Sequence, residues 1–260
     1  CAWTARCKSC DVTLTYHKKI SLLKCHYCGY SEIPVNKCKS CSSSNLLIKG
    51  VGTEKIEEEV KTIFPKYSVS RMDLDTTSKK NAHHEIINSF ENKYIDILIG
   101  TQMISKGLDF DNVGVVGILN ADNLLNFPDF RSHERAFQLM TQVSGRAGRK
   151  KDRGKVIIQT YSINHPIIKL VKENNFHEMF VHESKEREIF KYPPYVKIIK
   201  ITISHKDYKI VNLASKDLSK MLRKSYGLNV LGPEYPVVSR IKNKFLKNIL
   251  LKIDKINSHK

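Results

Sequence analysis

All seven cysteines of this 260-residue chain fall within its first 41 positions: Cys1, Cys7, Cys10, Cys25, Cys28, Cys38 and Cys41. Six of them form three Cys-x-x-Cys pairs. Buried core thiols would not cluster in pairs, and a disulfide framework does not suit a reducing compartment. The spacing lets two thiolates grip one tetrahedral zinc from a tight knuckle, and a second knuckle completes the shell. Cys7, Cys10, Cys25 and Cys28 are expected to form one complete site. Cys1, Cys38 and Cys41 are expected to form the other, with one ligand missing, replaced by water or supplied by a histidine. Cys1 has the look of the second half of a fourth pair whose partner would precede it. His17 and His26 are the nearby histidines, His26 more simply an exposed knuckle residue. Val12 to Tyr16 is rich in β-branched residues and predicts a strand. Residues 1–45 offer little apolar core, so metal binding is expected to supply much of their folding free energy.

Charge separates this chain from neutral binding modules less sharply than it first suggests. There are 44 Lys and Arg against 26 Asp and Glu, a formal +18. Such a surplus favours polyanions, because each neutralised phosphate releases condensed counterions. Abundant Lys and Asn with scarce Arg also suit an AT-rich coding bias, which explains the excess without a partner. No stretch approaches the roughly 20 apolar residues that span a bilayer. No basic, apolar and small-residue sequence of a signal peptide is seen. A cytoplasmic location without membrane contact is the expectation.

Beyond a polar linker at Ser42–Asn45, strands and amphipathic helices alternate. Strands are expected at Leu46–Ile48, Tyr67–Met72, Ile95–Ile99, Val113–Leu119 and Gly154–Thr160. Helices are expected from Thr53, as N-cap, to about Phe64, from Ser78 to about Asn92, and from Phe130 to about Ser144. Continuous apolar strands in this order predict a parallel sheet covered on both faces, with function in loops at the strands' carboxyl ends. Two segments stand out. One is Ile99-Gly100-Thr101-Gln102-Met103-Ile104-Ser105-Lys106-Gly107-Leu108-Asp109-Phe110. The other is Gln142-Val143-Ser144-Gly145-Arg146-Ala147-Gly148-Arg149, whose two arginines each follow a glycine and can present planar guanidinium forks to a phosphate.

The remainder reads as a connector and a small domain. A helix is expected from about Asn175 to Phe190, broken by Tyr192-Pro193-Pro194-Tyr195. A strand at Val196–Ile203, a helix at Tyr208–Tyr226 closed by Gly227, and strands near Leu228–Leu231, Val237–Ile241 and Lys247–Ile253 give a β-α-β-β-β order. A turn is expected at Gly232-Pro233. From Lys191 onward fourteen Lys and two Arg stand against four acidic residues. Arg240, Lys242, Lys244, Phe245 and Lys247 interleave basic and aromatic character, which suits single-stranded or branched nucleic acid, or equally a solvated Lys-rich face. The boundaries read as 1–45 for the cysteine module, 46–165 for the α/β lobe, 166–190 for the connector and 191–260 for the basic domain.

The two segments resemble motifs V and VI of superfamily 2 helicases in order and spacing. Within that superfamily the cysteine block, Gly50-Val51-Gly52-Thr53-Glu54-Lys55, Arg71-Met72-Asp73-Leu74-Asp75-Thr76-Thr77 and Gly100-Thr101-Gln102-Met103 are similar to the replication-restart helicases, the primosomal protein N-prime (PriA) family. The similarity runs through essentially the whole chain and is weakest after about residue 190. It implies a second RecA-like lobe of α/β class with a zinc-ribbon insert and a small α+β C-terminal domain. It implies two interleaved zinc sites from four cysteine pairs; the first cysteine of that set is missing here.

The resemblance also implies roles. Arg146 and Arg149 would act as arginine fingers on ATP and its Mg, with Gln142 coupling them to the cleft. Gly107 and Asp109 would approach the nucleotide ribose, although Asp109 also suits a plain turn. Thr101 and Gln102 would lie nearer the DNA backbone, and Arg240, Lys242 and Lys244 would contact DNA. Implied partners are branched or single-stranded DNA, single-strand-binding protein and primosome proteins, around a monomer. No Gly-x-x-x-x-Gly-Lys-Ser/Thr loop is present among the 260 residues. That loop would belong to a first lobe preceding Cys1, so this chain alone is expected neither to bind ATP tightly nor to hydrolyse it. The whole would be an ATP-dependent 3′–5′ helicase that recognises stalled or branched forks and initiates primosome assembly. The alternatives are a non-motor zinc-ribbon nucleic-acid adaptor and, against the cysteine block, some other superfamily 2 translocase.

Overall fold

A computed structural model describes residues 1–17, 20–46, 52–73, 76–77, 81–105, 113–148 and 154–254. The chain divides into two compact units, Cys1–Lys49 with Arg187–Lys260 and Gly50–Glu186. The first is therefore discontinuous in sequence. Strands that the apolar pattern predicts at residues 46–48 reach only Leu46 within the described residues, and Leu46 is not in a strand.

The cysteine-rich part of the first unit is an antiparallel meander of β1 (Thr15–His17), β2 (Leu22–Lys24) and β3 (Ser31–Glu32). The strand expected at Val12–Tyr16 begins later, and Thr13 instead forms an isolated bridge to Arg6. The other part is a small α+β fold in the predicted β-α-β-β-β order. It contains β8 (Val196–His205), α7 (Tyr208–Tyr226), β9 (Val230–Glu234), β10 (Arg240–Ile241) and β11 (Lys244–Asp254). β11 is its axis. It runs antiparallel to β8 over ten residue pairs, while its other edge carries β10 and then β9. Ile249 and Leu251 from β11, Val230 from β9 and Leu218 and Leu222 from α7 close the core. α7 ends at Gly227 as its sequence predicts, and its N-cap is Asp207. The Asp207 carboxylate accepts from the Lys209 amide at 2.8 Å, and Gly227 turns out of the helix at a φ of 52°.

The expected turn at Gly232-Pro233 is instead part of β9, whose register to β11 shifts between Asn248 and Leu250. β9 is hydrogen-bonded on one side only, and a proline, which lacks an N–H, fits such an edge.

The second unit alternates strand and helix through α1 (Thr53–Ile63), β4 (Val69–Met72), α2 (Ala82–Glu91), β5 (Ile97–Gly100), β6 (Val115–Ile118), α3 (Asp122–Leu125), α4 (Ser132–Ser144), β7 (Lys155–Ile158), α5 (Pro166–Glu173) and α6 (Phe176–Ile189). The last three residues of α6 belong to the first unit. The predicted parallel pairing is present, as β4 with β5 and β6 with β7. The predicted cover on both faces is present at β4, where Arg71 meets Glu57 of α1 and Met72 packs with Ile87 of α2, but not at β6 and β7. Among the described residues the strands form two separate pairs, and Val115 and Ile157 are more than half exposed because α3, α4 and α5 pack on one face only.

Thr53 is also not the N-cap of α1. Gly52 takes that place, and the Thr53 hydroxyl donates to Asp73 at 2.5 Å. Asp73 accepts as well from the Thr76 amide and pairs with Arg71, itself buried and 3.4 Å from Glu57. Burial alone would raise the Asp73 pKa, yet the Thr53 hydroxyl, the Thr76 amide and the Arg71 charge together hold it below the usual carboxylate range. This network binds α1 to β4.

Helices α4, α5 and α6 meet around a second buried acid, Glu183. His133 Nδ1 lies 3.3 Å from its carboxylate and His182 4.0 Å, while the ring of His165 stands edge-on to His133 at 5.2 Å. The Glu183 hydrogen bond raises the His133 pKa despite partial burial. Desolvation, then the His133 charge, lower that of His165, whose Nδ1 caps α5 by accepting from the Ile167 amide. The signs oppose. The raised His133 stabilises the fold fully below about pH 6.5, and that contribution fades as pH rises through its folded value. The depressed His165 contributes above about pH 6.5, and its share is lost as pH falls through its folded value. His133→Gln should therefore cost about 1 kcal/mol near pH 6 and clearly less at pH 8.5, a difference read by thermal melts at the two pH values. An equal loss at both would overturn the pairing.

Candidate metal centre and motor loops

Each knuckle is a five-residue turn closed by its own backbone. The amide of Cys7 donates to the Val12 carbonyl at 3.0 Å, that of Cys25 to Tyr30 at 2.8 Å and that of Cys38 to Ser43 at 2.8 Å. Gly29 and Ser42 occupy equivalent positions with φ of 79° and 56°, left-handed conformations that favour glycine. The turns aim amides at sulfur. Ser9, Tyr30 and Ser40 donate to Cys7, Cys28 and Cys38 at 3.4 Å each.

These turns bring the sulfurs of Cys7, Cys10, Cys25 and Cys28 within 4.8 Å of one another, and separately those of Cys1, Cys38 and Cys41. The chain order therefore nests the first group inside the second, in the grouping that the spacing predicts. His17 and His26 belong to neither group; their rings stack edge to face at 5.1 Å. The first group is the more buried, wrapped by Leu14, Val12, Leu23 and Tyr30. The second has Cys1 and Cys41 exposed.

The electrostatics suit a cation at the centre of the four sulfurs. Desolvation pushes the Cys7 thiol up to about 12. Burial also raises Cys25, but amides of Cys28 and Tyr27 and the thiols of Cys28 and Cys7 bring it down to about 7. One sulfur can thus ionise readily, and its charge then opposes ionisation of its neighbours. A divalent ion at the centre removes that conflict and deprotonates all four. An all-thiolate set of four is zinc-like, and the three-sulfur set leaves one position for a further ligand.

The motor loops lie in the second unit. Thr101 and Gln102 are exposed at the carboxyl end of β5, where Gln102–Ser105 makes a 3-10 turn beside α4. Gly100 is required there, because a Cβ would overlap the Ile104 side chain and the Met72 carbonyl. Gly107 and Asp109 lie outside the described residues, as does Arg149. α4 buries Ala136, Phe137 and Met140 and leaves Gln142 exposed in its last turn. Gly145–Gly148 follows. Gly145 keeps a negative φ with room for a Cβ, so close packing does not explain this glycine. Arg146 is half-buried, Ala147 bridges Val113 in parallel, and Gly148, at a φ of 78°, donates its amide to the Val113 carbonyl at 3.0 Å. The loop is thereby stitched to the strand entering β6.

Gly154, which the sequence analysis did not single out as a site residue, seats this loop. A Cβ there would overlap the backbone of Ala147 and Gly148. Its only sequence signal was its place at the start of a strand.

Comparison with known proteins finds three matching domains along the chain. Residues 7–32 match the PriA DNA helicase Cys-rich region domain, 37–151 the helicase conserved C-terminal domain, and 188–260 the primosomal protein N C-terminal domain. The replication restart protein PriA of Bacillus subtilis (strain 168) is 42% identical over 254 residues, covering 97% of this chain. The chain belongs to the PriA family. The PriA of a Synechocystis species is 40% identical over 260 residues and that of Treponema pallidum 38% over 254. This chain spans 32%, 31% and 38% of those three relatives, so it corresponds to about a third of a family member. The first family domain takes in the four-thiol group, whereas Cys1, Cys38 and Cys41 lie outside it. Zinc binding by the cysteine-rich region follows from the ribbon domain together with the two thiol groups. No helix among the described residues is long and apolar enough to cross a membrane.

Zinc content should be about two per chain and fall to about one in Cys25→Ser, measured on reduced, folded protein by elemental analysis. No loss of metal in the variant would remove Cys25 from the site. Gly154→Ala should destabilise the second unit by about 1–3 kcal/mol in chemical denaturation, because either the loop or the strand must move. A neutral outcome would show that the loop is not held by this contact.

Proposed function

We propose that the chain is the zinc-ribbon, second motor lobe and C-terminal part of an ATP-dependent 3′–5′ DNA helicase. The whole protein would recognise stalled or branched replication forks and initiate primosome assembly for replication restart. The observation that carries this reading is the conjunction, in one chain, of the four-thiol cluster with an arginine loop stitched to the chain entering a parallel β-α-β unit. A ribbon alone fits many nucleic-acid adaptors. An adaptor has no use for Arg146 held in a half-buried loop whose next residues, Ala147 and Gly148, are packed against both Val113 and Gly154.

In this mechanism the second lobe supplies positioning and charge, while ATP and Mg are held chiefly by the first lobe. Arg146 and Arg149 stabilise charge developing on the transferring phosphoryl group, and a loop fixed by backbone bonds keeps Arg146 in place without reorganisation. Gln142, one turn earlier on α4, links that contact to the cleft; Gly107 and Asp109 approach the ribose. Thr101 and Gln102, exposed beyond β5, offer a hydroxyl and amides to DNA phosphates. Because the 3-10 turn lies beside α4, a shift on one side can reach the other through a rigid helix. The zinc ligands are Cys7, Cys10, Cys25 and Cys28 in one site and Cys1, Cys38 and Cys41 in the other. Lys242 and Lys244, both exposed, meet DNA. Partners are branched or single-stranded DNA, single-strand-binding protein and primosome proteins, and the protein works as a cytoplasmic monomer.

Arg146→Ala in the intact helicase should lower DNA-stimulated ATP hydrolysis by about 10³-fold with zinc content unchanged. Unchanged hydrolysis in a zinc-loaded, folded variant would overturn the motor reading in favour of the adaptor.

A further inference from the structure

Four of the sulfurs described above take an amide from two residues downstream in their own knuckle: Cys7 from Ser9, Cys25 from Tyr27, Cys28 from Tyr30 and Cys38 from Ser40. Cys10 does not. Its sulfur accepts from the backbone N–H of Lys242 at 3.3 Å, a residue 232 positions away in the C-terminal fold.

The donor is built for this contact. Lys242 and Asn243 form the tip of the β10–β11 hairpin, at φ of 49° and 60°. Consecutive left-handed residues are the signature of a two-residue turn that normally uses Asn-Gly, and a lysine adopts that conformation less readily than glycine or asparagine. The turn points both of its amides at one knuckle, that of Lys242 to Cys10 and that of Asn243 to the Ser9 carbonyl at 2.8 Å. Below the tip, Arg240 and Asp11 form a clamp. The guanidinium donates to the Asp11 carboxylate at 3.0 Å and to the Lys8 carbonyl at 3.2 Å. The Ser239 hydroxyl donates to the other Asp11 oxygen at 2.7 Å, and the Asp11 amide to the Arg240 carbonyl at 2.9 Å. Ile241 packs on the apolar shell around Cys7, Cys10 and Cys25. Residues 8–11 and 239–243 thus join by six hydrogen bonds and one apolar contact within the first unit.

We infer that the β10–β11 hairpin is the outer shell of the four-thiolate site, with Asp11 and Arg240 as positioning residues that hold the Lys242 amide on Cys10. An N–H donated to a metal-bound thiolate offsets part of its charge and fixes its direction, as outer partners of metal ligands do. Metal occupancy and hairpin seating then stabilise each other, and by linkage each raises the other by the same factor. Arg240 is accordingly engaged inside the protein. Its guanidinium serves Asp11 and Lys8, whereas Lys242 gives the knuckle only its backbone and keeps its ammonium exposed.

The test uses the whole chain loaded with zinc. Zinc release to a competing chromogenic chelator is followed in the wild type, Asp11→Ala, Arg240→Ala, Arg240→Lys and the charge-reversed pair Asp11→Arg with Arg240→Asp. Release from one of the two sites should accelerate about tenfold in both alanine variants and in Arg240→Lys, which lacks the fork, and should slow again in the reversed pair. In the wild type, metal removal should raise amide hydrogen exchange at 239–244 while the β8–β11 pairing stays protected. That measurement needs no substitution, so a variant that fails to fold leaves the inference testable. Release rates unchanged in folded alanine variants, or hairpin exchange indifferent to zinc, would overturn it.

Discussion

Four sulfurs within 4.8 Å of one another set the terms for the first unit. Burial pushes the Cys7 thiol up to about 12, while the amides of Cys28 and Tyr27 bring Cys25 down to about 7. With a divalent ion the same spacing becomes the tightest cross-link in the unit. The meander around it has strands of two or three residues and few buried apolar side chains other than the cysteines. Such a segment cannot offset its own backbone entropy, which runs at about 1–2 kcal/mol per residue. The metal supplies that deficit, and the local turns exist to present sulfur to it.

The second unit is held by a different constraint, the close approach of backbone to backbone. Gly100 and Gly154 each sit where a methyl group would overlap main-chain or side-chain atoms of a neighbouring loop. Both lie at the edge of a parallel strand, and both face a segment that the sequence singled out. Packing behind them is ordinary: α4, α5 and α6 bury Phe137, Met140, Ile167, Ile168 and Met179 against one face of β6 and β7. The apolar side chains position the helices, and the glycines set how near the loops come to the strands.

Local chemistry was legible and tertiary chemistry was not. α7 ran between its predicted ends because Asp207 and Gly227 are strong caps around an unbroken apolar stripe. The cysteine groups followed from spacing alone, since a knuckle is closed by bonds five residues apart. α5 was expected only as part of a helical connector at 166–190, without bounds of its own, because its cap is a histidine rather than a serine or aspartate. Thr53 looked like a cap and instead donates to Asp73, twenty residues on. Gly232-Pro233 looked like a turn, yet an edge strand accommodates the pair. Arg240 read as one more exposed base in a basic stretch; its acceptor, Asp11, lies 229 positions earlier.

That separation has a consequence for how the first unit forms. Its two halves are divided in sequence by Gly50–Glu186, so joining residues 8–11 to 239–243 closes a loop of more than two hundred residues. The entropy of such a closure, on the order of 5 kcal/mol, exceeds what a few exposed hydrogen bonds return. Closure becomes favourable when the knuckle is already rigid, because a fixed Cys10 sulfur and a fixed Asp11 carboxylate form one preorganised acceptor surface for the hairpin. A folded second unit shortens the effective loop further, since its chain no longer explores extended states. The order of assembly that costs least is therefore metal into the knuckles, the intervening lobe into its own core, and the C-terminal hairpin onto the finished knuckle last.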